Sequence, residues 1–179
     1  MRLGDYILTA TGIEFWPLDP RVEEISIRDI GHALSLTCRA NGHYKNFYSV
    51  GQHSIYCAQE AKLRGYSKRV QLACLLHDGS EAYISDITRP VKKQLDSYIK
   101  IEEKLQKAVY EAFGLSDLTD EELELVKVID DAMLKYEMEN LLNYSGIEAE
   151  DIKGEYNLGL LMMNEVEEEF IELAEELQL

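Results

Sequence analysis

Apolar residues recur at helical spacing along most of this chain, with polar residues at the positions between them. These stripes predict helices at about 26–38, 49–64, 67–85, 91–113, 119–144 and 155–177. Residues 6–16 differ, because they suggest two short strands about a Thr11-Gly12 turn, ahead of the breakers Pro17 and Pro20. We therefore expect an all-α helical bundle with a short N-terminal β-hairpin, organised as a single domain over residues 1–179.

Capping-box patterns mark three of the expected helix starts. In such a box a Ser or Thr side chain caps the first turn, and a side chain three residues later bonds back to the cap. The three pairs are Ser26 with Asp29, Ser49 with Gln52, and Thr119 with Glu122. In the acidic C-terminal segment, the amphipathic spacing predicts burial of Leu160, Leu161, Val166, Phe170, Leu173 and Leu177.

Along the third expected helix, the inward face changes from apolar to polar residues. Its leucine stripe ends at Leu76, and His77, Asp78 and Glu81 follow within little more than one turn. Because residues three and four apart share a helix face, an imidazole and two carboxylates can crowd one side of this turn. A divalent cation is the usual compensation for burying such groups. Adjacent nitrogen and oxygen ligands suit zinc, manganese, iron or cobalt better than calcium.

Two other helices carry a polar residue where an apolar stripe should continue. His53 lies on the inward face of the second helix, and Asp130 interrupts the stripe of the fifth. Asp131 is about 100° further round the helix, with Lys127 and Lys135 four residues to either side, so we expect it to be solvated and salt-bridged. Taken singly, His53 would be a hydrogen-bonded core histidine and Asp130 a structural acid. Together with His77-Asp78, they suggest two imidazoles and two carboxylates converging from three helices.

The remaining histidines and the cysteines point to no second site. His32 is expected to be peripheral on an amphipathic helix, and His43 to lie exposed in a polar loop. The cysteines have no CxxC spacing and sit in apolar helical contexts, so we expect reduced, buried thiols at Cys38, Cys57 and Cys74.

Composition narrows the class of partner. An apolar content of 46% provides for a sizeable core, and the net charge of −16 argues against polymeric nucleic acid and against an anionic membrane surface. Acidity does not exclude a nucleotide substrate, because a few local cations and a metal can outweigh the global field in a cleft. The chain starts without an apolar signal region and has no apolar run of membrane-spanning length, so a cytoplasmic location is expected.

The polar residues above carry a resemblance to a known superfamily. The order His53, His77-Asp78, Asp130 on successive helices resembles the metal-binding signature of the HD-domain phosphohydrolases. The block from His77 to Lys92 is similar to bacterial 5'-deoxynucleotidases and to small phage-type HD proteins that include dATP triphosphohydrolases. The segments Pro17-Leu18-Asp19-Pro20 and Phe47 to Ser54 are similar to the phage-type group, and the likeness covers roughly residues 12–140.

The resemblance implies an HD-type helical domain that holds one divalent cation. Its ligands would be His53, His77, Asp78 and Asp130, and the cation zinc, manganese or cobalt, with magnesium as a candidate second ion. The implied partner is a small nucleotide, and a homo-oligomer, a dimer or higher, is expected.

Four further positions match functional positions of the same family. Glu81 and Asp86 match acidic residues that act on the attacking water or the leaving group, and Arg39 and Lys92 match phosphate-binding positions. Such chemistry needs positive charge near the phosphoryl oxygens and a carboxylate to move a proton.

Two substrates and one alternative function stay open at this point. The reaction implied is release of phosphate from deoxynucleoside monophosphates, or of triphosphate from deoxynucleoside triphosphates such as dATP. Ala40 stands where the deoxynucleotidase pattern has a tryptophan, a departure at the sugar-discriminating wall that counts against the monophosphate substrate. The alternative is a non-catalytic HD module that binds nucleotide or metal for regulation, but Glu81 and Asp86 would have no chemical purpose in such a module.

Overall fold

The computed structural model describes residues 2–178 and opens with a two-stranded antiparallel sheet. Strands β1 (Ile7–Leu8) and β2 (Glu14–Phe15) pair so that Ile7 faces Phe15. The Phe15 ring is fully buried and stacks on Tyr83 with ring centroids 4.0 Å apart. This contact anchors the hairpin to the helical part of the chain and confirms the hairpin expected between residues 6 and 16.

Helices make up most of the remaining chain, which confirms the all-α fold class. Their bounds are α1 Ile27–Leu36, α2 Val50–Leu63, α3 Lys68–Leu76, α4 Glu81–Ile84, α5 Arg89–Lys92, α6 Asp96–Ala112, α7 Asp120–Leu142 and α8 Met163–Gln178. Short 3-10 turns lie at Val22–Glu24 and Arg39–Gly42. Within residues 2–178, no helix is long and apolar enough to cross a membrane.

Helix α2 is central to the packing. It contacts α1, α3, α7 and α8, and α3 in turn packs against α7 and α8. The fully buried side chains between these helices include Ile55 of α2, Leu75 and Leu76 of α3, and Phe170 of α8. Polar side chains on the inner faces of α2, α3 and α7 are therefore held by a close-packed surround.

The third helix is shorter than the hydrophobic pattern predicts. It ends at Leu76, and residues 77–80 form a turn before α4 begins at Glu81. The Gly79 N–H donates to the Leu76 carbonyl over 2.9 Å, and a Cβ on Gly79 would meet Val109 of α6 at 2.9 Å. A glycine at this turn allows the backbone to pass close to α6, a tertiary contact that the local sequence does not reveal. The expected helix 91–113 is likewise divided into α5 and α6.

The C-terminal helix also begins later than expected. Residues 143–162 have no regular structure, and α8 starts at Met163. In that segment, the Asn157 and Gly159 carbonyls accept from the Gln52 side chain, so backbone groups are satisfied by side chains of the core. As predicted, Val166, Phe170 and Leu177 are buried, whereas Leu161 and Leu173 are half-buried and Leu160 is exposed.

The capping boxes were predicted with mixed success. Thr119 and Glu122 form the full reciprocal box, and Ser49 accepts from the Gln52 N–H while the Gln52 side chain turns elsewhere. The Ser26 box is wrong, because Ser26 makes no side-chain cap. Asp29 instead accepts from the Thr11 N–H and hydroxyl at 2.8 and 2.7 Å, which ties the hairpin turn to α1.

Candidate metal centre

Four predicted side chains converge between α2, the end of α3 and α7. His53 Nε2 lies 3.3 Å from His77 Nε2 and 3.3 Å from Asp130 Oδ1. Asp78 Oδ2 lies 3.3 Å from His77 Nε2 and 4.0 Å from His53 Nε2. Two imidazole nitrogens and two carboxylate oxygens thus face a common point, as the sequence predicts.

A thiol stands beside these groups. The nitrogen and sulfur atoms of His53, Cys57 and His77 lie within 4.8 Å of one another, so this trio could hold a metal ion. Cys57 Sγ is 3.4 Å from His53 Nε2. Burial raises the pKa of the Cys57 thiol well above its usual range, which keeps the group a neutral thiol, as predicted for a buried cysteine.

The outer hydrogen bonds of the two histidines fix which ring nitrogen faces the centre. His53 Nδ1 donates to Glu137 Oε1 over 2.6 Å, and His77 Nδ1 donates to the Cys74 carbonyl over 2.7 Å. Because carboxylate and carbonyl oxygens only accept, both Nδ1 atoms carry hydrogen and both Nε2 atoms are left to face each other. This is the tautomer in which an imidazole binds a metal through Nε2.

The electrostatics of the centre favour positive charge. Burial lowers the pKa of His77, but Asp78 and Asp130 outweigh it and the pKa lies well above the ordinary histidine value. Burial raises the pKa of Asp130, yet hydrogen bonds with His53 and His77 bring it well below the ordinary value. The carboxylates are thus ionised, and the centre is suited to a cation.

Arg39 is anchored beside the four donor atoms. Its Nε donates to Glu137 Oε2 over 2.9 Å, and its two terminal nitrogens lie 3.3 Å from Asp78 and 3.4 Å from Asp130. Ala40, the next residue, has a φ of 54°, in the left-handed region that a residue with a Cβ seldom adopts. The chain therefore turns sharply directly after Arg39, whose side chain is buried.

Glu81 and Lys92 lie together at the edge of the centre. Glu81 is 5% exposed, and its Oε1 is 3.8 Å from Lys92 Nζ. Burial raises the pKa of Glu81 well above its usual range, with Asp78 and Asp86 adding to the effect and Arg39 and Lys92 opposing it. Lys92 Nζ also donates to Glu102 Oε1 over 2.6 Å.

A cavity of about 430 Å³ opens onto six of the eight predicted site residues. They are Arg39, Asp78, Glu81, Asp86, Lys92 and Asp130. The rest of its wall includes the apolar side chains of Ala40, Leu134, Met138 and Ile147. A second cavity of about 700 Å³, along α6, is lined by His77, Asp78 and Lys92 at its inner end. His53 lines neither cavity and is fully buried behind them.

Asp130 and Asp131 make different contacts, but their side chains are buried to nearly the same extent. Their side chains are 22% and 25% exposed, so the expectation of a buried and a solvated residue is wrong in that respect. Asp130 faces the histidines as predicted, and its Oδ2 accepts from Arg89 over 2.9 Å. Asp131 pairs with Lys127 and Arg89, whereas Lys135 pairs with Asp151 instead.

The other two histidines lie where the sequence predicts. His32 is half-exposed and contacts Glu167 of α8 at 3.0 Å, and His43 is exposed after the Arg39–Gly42 turn.

Glu137 also lies beside the four convergent side chains, a position not predicted for it from the sequence. It is fully buried, and it contacts both His53 and Arg39. A signal was available, because Glu137 lies four residues after Met133 and four before Leu141, within the same apolar stripe that singled out Asp130.

No protein-family model matches the chain. It is 36% identical over 110 residues to the uncharacterized protein YfdR of Escherichia coli K12, a match that covers 62% of this chain and 59% of YfdR. It is 33% identical over 144 residues to the uncharacterized protein RCAP_rcc00048 of Rhodobacter capsulatus, covering 76% of this chain and 73% of that protein. The chain therefore belongs to the same family as RCAP_rcc00048.

Proposed function

We propose that this protein is a metal-dependent phosphohydrolase of the HD type that acts on phosphate esters of deoxynucleotides. The observation that carries the proposal is the convergence of His53, His77, Asp78 and Asp130 at a cavity that also holds Arg39. Two imidazoles and two carboxylates in one small volume, with a guanidinium beside them, are the groups that metal-assisted phosphate hydrolysis requires.

The donor set fits one divalent cation. Ligands about 2.0–2.2 Å from a tetrahedral ion stand about 3.4 Å apart. Each histidine Nε2 lies 3.3 Å from the other and 3.3–4.0 Å from the facing oxygens of Asp78 and Asp130, so a small inward movement of the carboxylates would complete the set. The Nδ1 atoms of both rings are committed to outer acceptors, so Nε2 is the atom that each histidine offers to a cation, which would displace any proton there. A mixed nitrogen and oxygen set of this kind suits zinc, manganese or cobalt.

When bound, such a cation supplies Lewis acidity, which activates water for attack and offsets the negative charge of phosphoryl oxygens. Arg39 would bind phosphoryl oxygens through its two terminal nitrogens, since its Nε is already occupied by Glu137. Lys92, which also lines the 430 Å³ cavity, would add a point charge.

Glu81 is suited to transfer the proton. Burial raises its pKa well above the usual carboxyl range, with Asp78 adding to the effect and Lys92 opposing it, so this carboxyl holds a proton more readily than an exposed glutamate does. Asp86 lines the same cavity, and its pKa is raised by burial, against the opposing effect of Arg39. The two carboxylates would serve the attacking water and the leaving oxygen.

The apolar wall of the cavity would receive the nucleoside. Leu134, Met138 and Ile147 lie on that wall, and Ala40 leaves room where a larger side chain would narrow the space. A volume of about 430 Å³ is within the range of small-ligand sites. Both deoxynucleoside monophosphates and triphosphates such as dATP remain substrates to be compared.

The test is a panel of nucleoside mono-, di- and triphosphates assayed with Mn²⁺, Co²⁺, Zn²⁺ or Mg²⁺. We expect turnover of at least one deoxynucleotide, with phosphate or triphosphate as the product resolved by chromatography. Turnover should vanish with a chelator and return when the metal is restored. Tight nucleotide binding without any product across the panel would overturn the enzymatic proposal and favour a regulatory HD module.

A further inference from the structure

Glu137 joins the two halves of the proposed site. It lies on α7, is 0% exposed, and accepts hydrogen bonds from three donors. His53 Nδ1 is 2.6 Å from Oε1, and Arg39 Nε and the Tyr44 hydroxyl are 2.9 and 3.2 Å from Oε2. One carboxylate therefore contacts both a proposed metal ligand and the proposed phosphate-binding arginine.

A second buried glutamate shows what a purely structural role looks like. Glu60 of α2 is also 0% exposed, and it accepts from Arg64, from the Tyr156 hydroxyl, and from two backbone N–H groups. Those donors belong to the end of α2 and to residues 153–156, and they contact none of the four convergent side chains. Glu137 differs because both of its charged or ring donors point onward into the site.

We propose that Glu137 is a positioning residue that sets metal affinity by holding His53 in the Nδ1–H tautomer, and that it also orients Arg39. With its Nδ1 hydrogen committed to Glu137, His53 presents Nε2 toward His77 and Asp130. With its Nε committed to the same carboxylate, Arg39 directs its terminal nitrogens toward Asp78 and Asp130. The inference rests on the proposed metal site.

The variant Glu137→Gln tests the role with little change in volume. An amide has one acceptor and one donor face, so it cannot accept from both His53 and Arg39. Outer hydrogen-bond partners of metal-bound histidines typically change affinity by about 10- to 100-fold, and we expect a loss in this range. The measurement is competition for Zn²⁺ or Mn²⁺ against a chromophoric chelator.

Glu60→Gln is the matched control. It removes the same charge from an equally buried position, so it should lower the melting temperature while leaving metal affinity unchanged. Equal losses of affinity in both variants, or wild-type affinity in Glu137→Gln, would contradict the positioning role.

A measurement on the unaltered protein covers the case in which Glu137→Gln does not fold. The ¹⁵N chemical shifts of the His53 ring report which nitrogen carries hydrogen, and we expect a protonated Nδ1. A protonated Nε2 with a bare Nδ1 would refute the assignment. Neither readout depends on turnover, so a protein that binds metal as described but hydrolyses no nucleotide would overturn the proposed function alone.

Discussion

Replacing Glu81 with glutamine isolates proton transfer from metal binding. Glu81 begins α4, is 5% exposed, and its Oε2 has no hydrogen-bond partner among residues 2–178. In the proposed metal site, His53, His77, Asp78 and Asp130 fill the ligand positions, so Glu81 is not needed as a ligand. Glutamine keeps the size and polarity of the side chain but cannot take up or release a proton at pH 7.

The expected loss follows from the role assigned to one acid-base group. Such a group contributes about 10²- to 10⁴-fold to turnover, which corresponds to about 2.7–5.4 kcal/mol of activation free energy. We expect kcat to fall by this factor, while the metal content and the nucleotide dissociation constant stay close to wild type. Because burial raises the pKa of Glu81, the wild-type pH profile of kcat should also contain a limb above the ordinary glutamate range that the variant lacks.

The assay measures kcat and KM separately over pH, together with metal content, for Glu81→Gln and for the control Glu103→Gln. Glu103 is exposed on α6 and loses the same charge, so its kcat should match wild type. A kcat for Glu81→Gln that matches that of Glu103→Gln would refute the reasoning. If Glu81→Gln instead loses its metal, Glu81 is a metal ligand, and the proton-transfer role belongs to Asp86.

Three further outcomes are expected. Asp130→Ala should abolish metal binding and activity, while Asp131→Ala should lose only surface pairings of about 0.3–1 kcal/mol; the reverse, in calorimetry and activity assays, would place the wrong aspartate at the centre. Purified His77→Ala should contain well below one metal ion per chain by elemental analysis. Full metal occupancy would contradict the assignment of His77 as a ligand. Glu60→Gln should destabilise folding by about 1–3 kcal/mol at neutral pH. Burial raises the pKa of Glu60, but bonds led by that from Arg64 outweigh it, so the stabilisation is present above the unfolded value of 4.5 and lost as pH falls through the lower folded pKa. The melting temperature of Glu60→Gln should therefore approach that of wild type in acid. A difference in melting temperature that grows in acid would contradict this account.

The spacing of apolar residues predicts which helix faces pack together, because the buried face of a helix carries an apolar residue in nearly every turn. It placed His53 and Asp130 on the inward faces, since each interrupts an apolar stripe whose other members are buried, apart from the exposed Leu123 at the start of α7. Glu137 interrupts the same apolar stripe of α7 between Met133 and Leu141. Exposure of single residues was less predictable, because Arg89 covers Asp130 and Asp131 to a similar extent from a different part of the chain.

Helix ends were the weakest part of the prediction, for a tertiary reason. The α3 helix stops before His77, and Gly79 in the turn that follows packs against Val109, a residue of another helix. The break has a consequence for the site. His77 caps α3, and its Nδ1 reaches the Cys74 carbonyl within the last turn, which fixes the ring. A continuous helix would have met that carbonyl with a backbone N–H instead.

The charge balance of the cavity couples the binding of the proposed metal ion to the binding of the proposed nucleotide. The 430 Å³ cavity is lined by four carboxylates, Asp78, Glu81, Asp86 and Asp130, and by three cations, Arg39, Arg89 and Lys92. Two of those cations, Arg39 and Arg89, are already paired with the carboxylates that would hold the metal. A divalent charge at the centre would compete for those carboxylates and release the guanidinium groups toward an incoming phosphate. Metal and nucleotide should therefore strengthen each other's binding, which would allow a chain of net charge −16 to accept the anionic substrate proposed above.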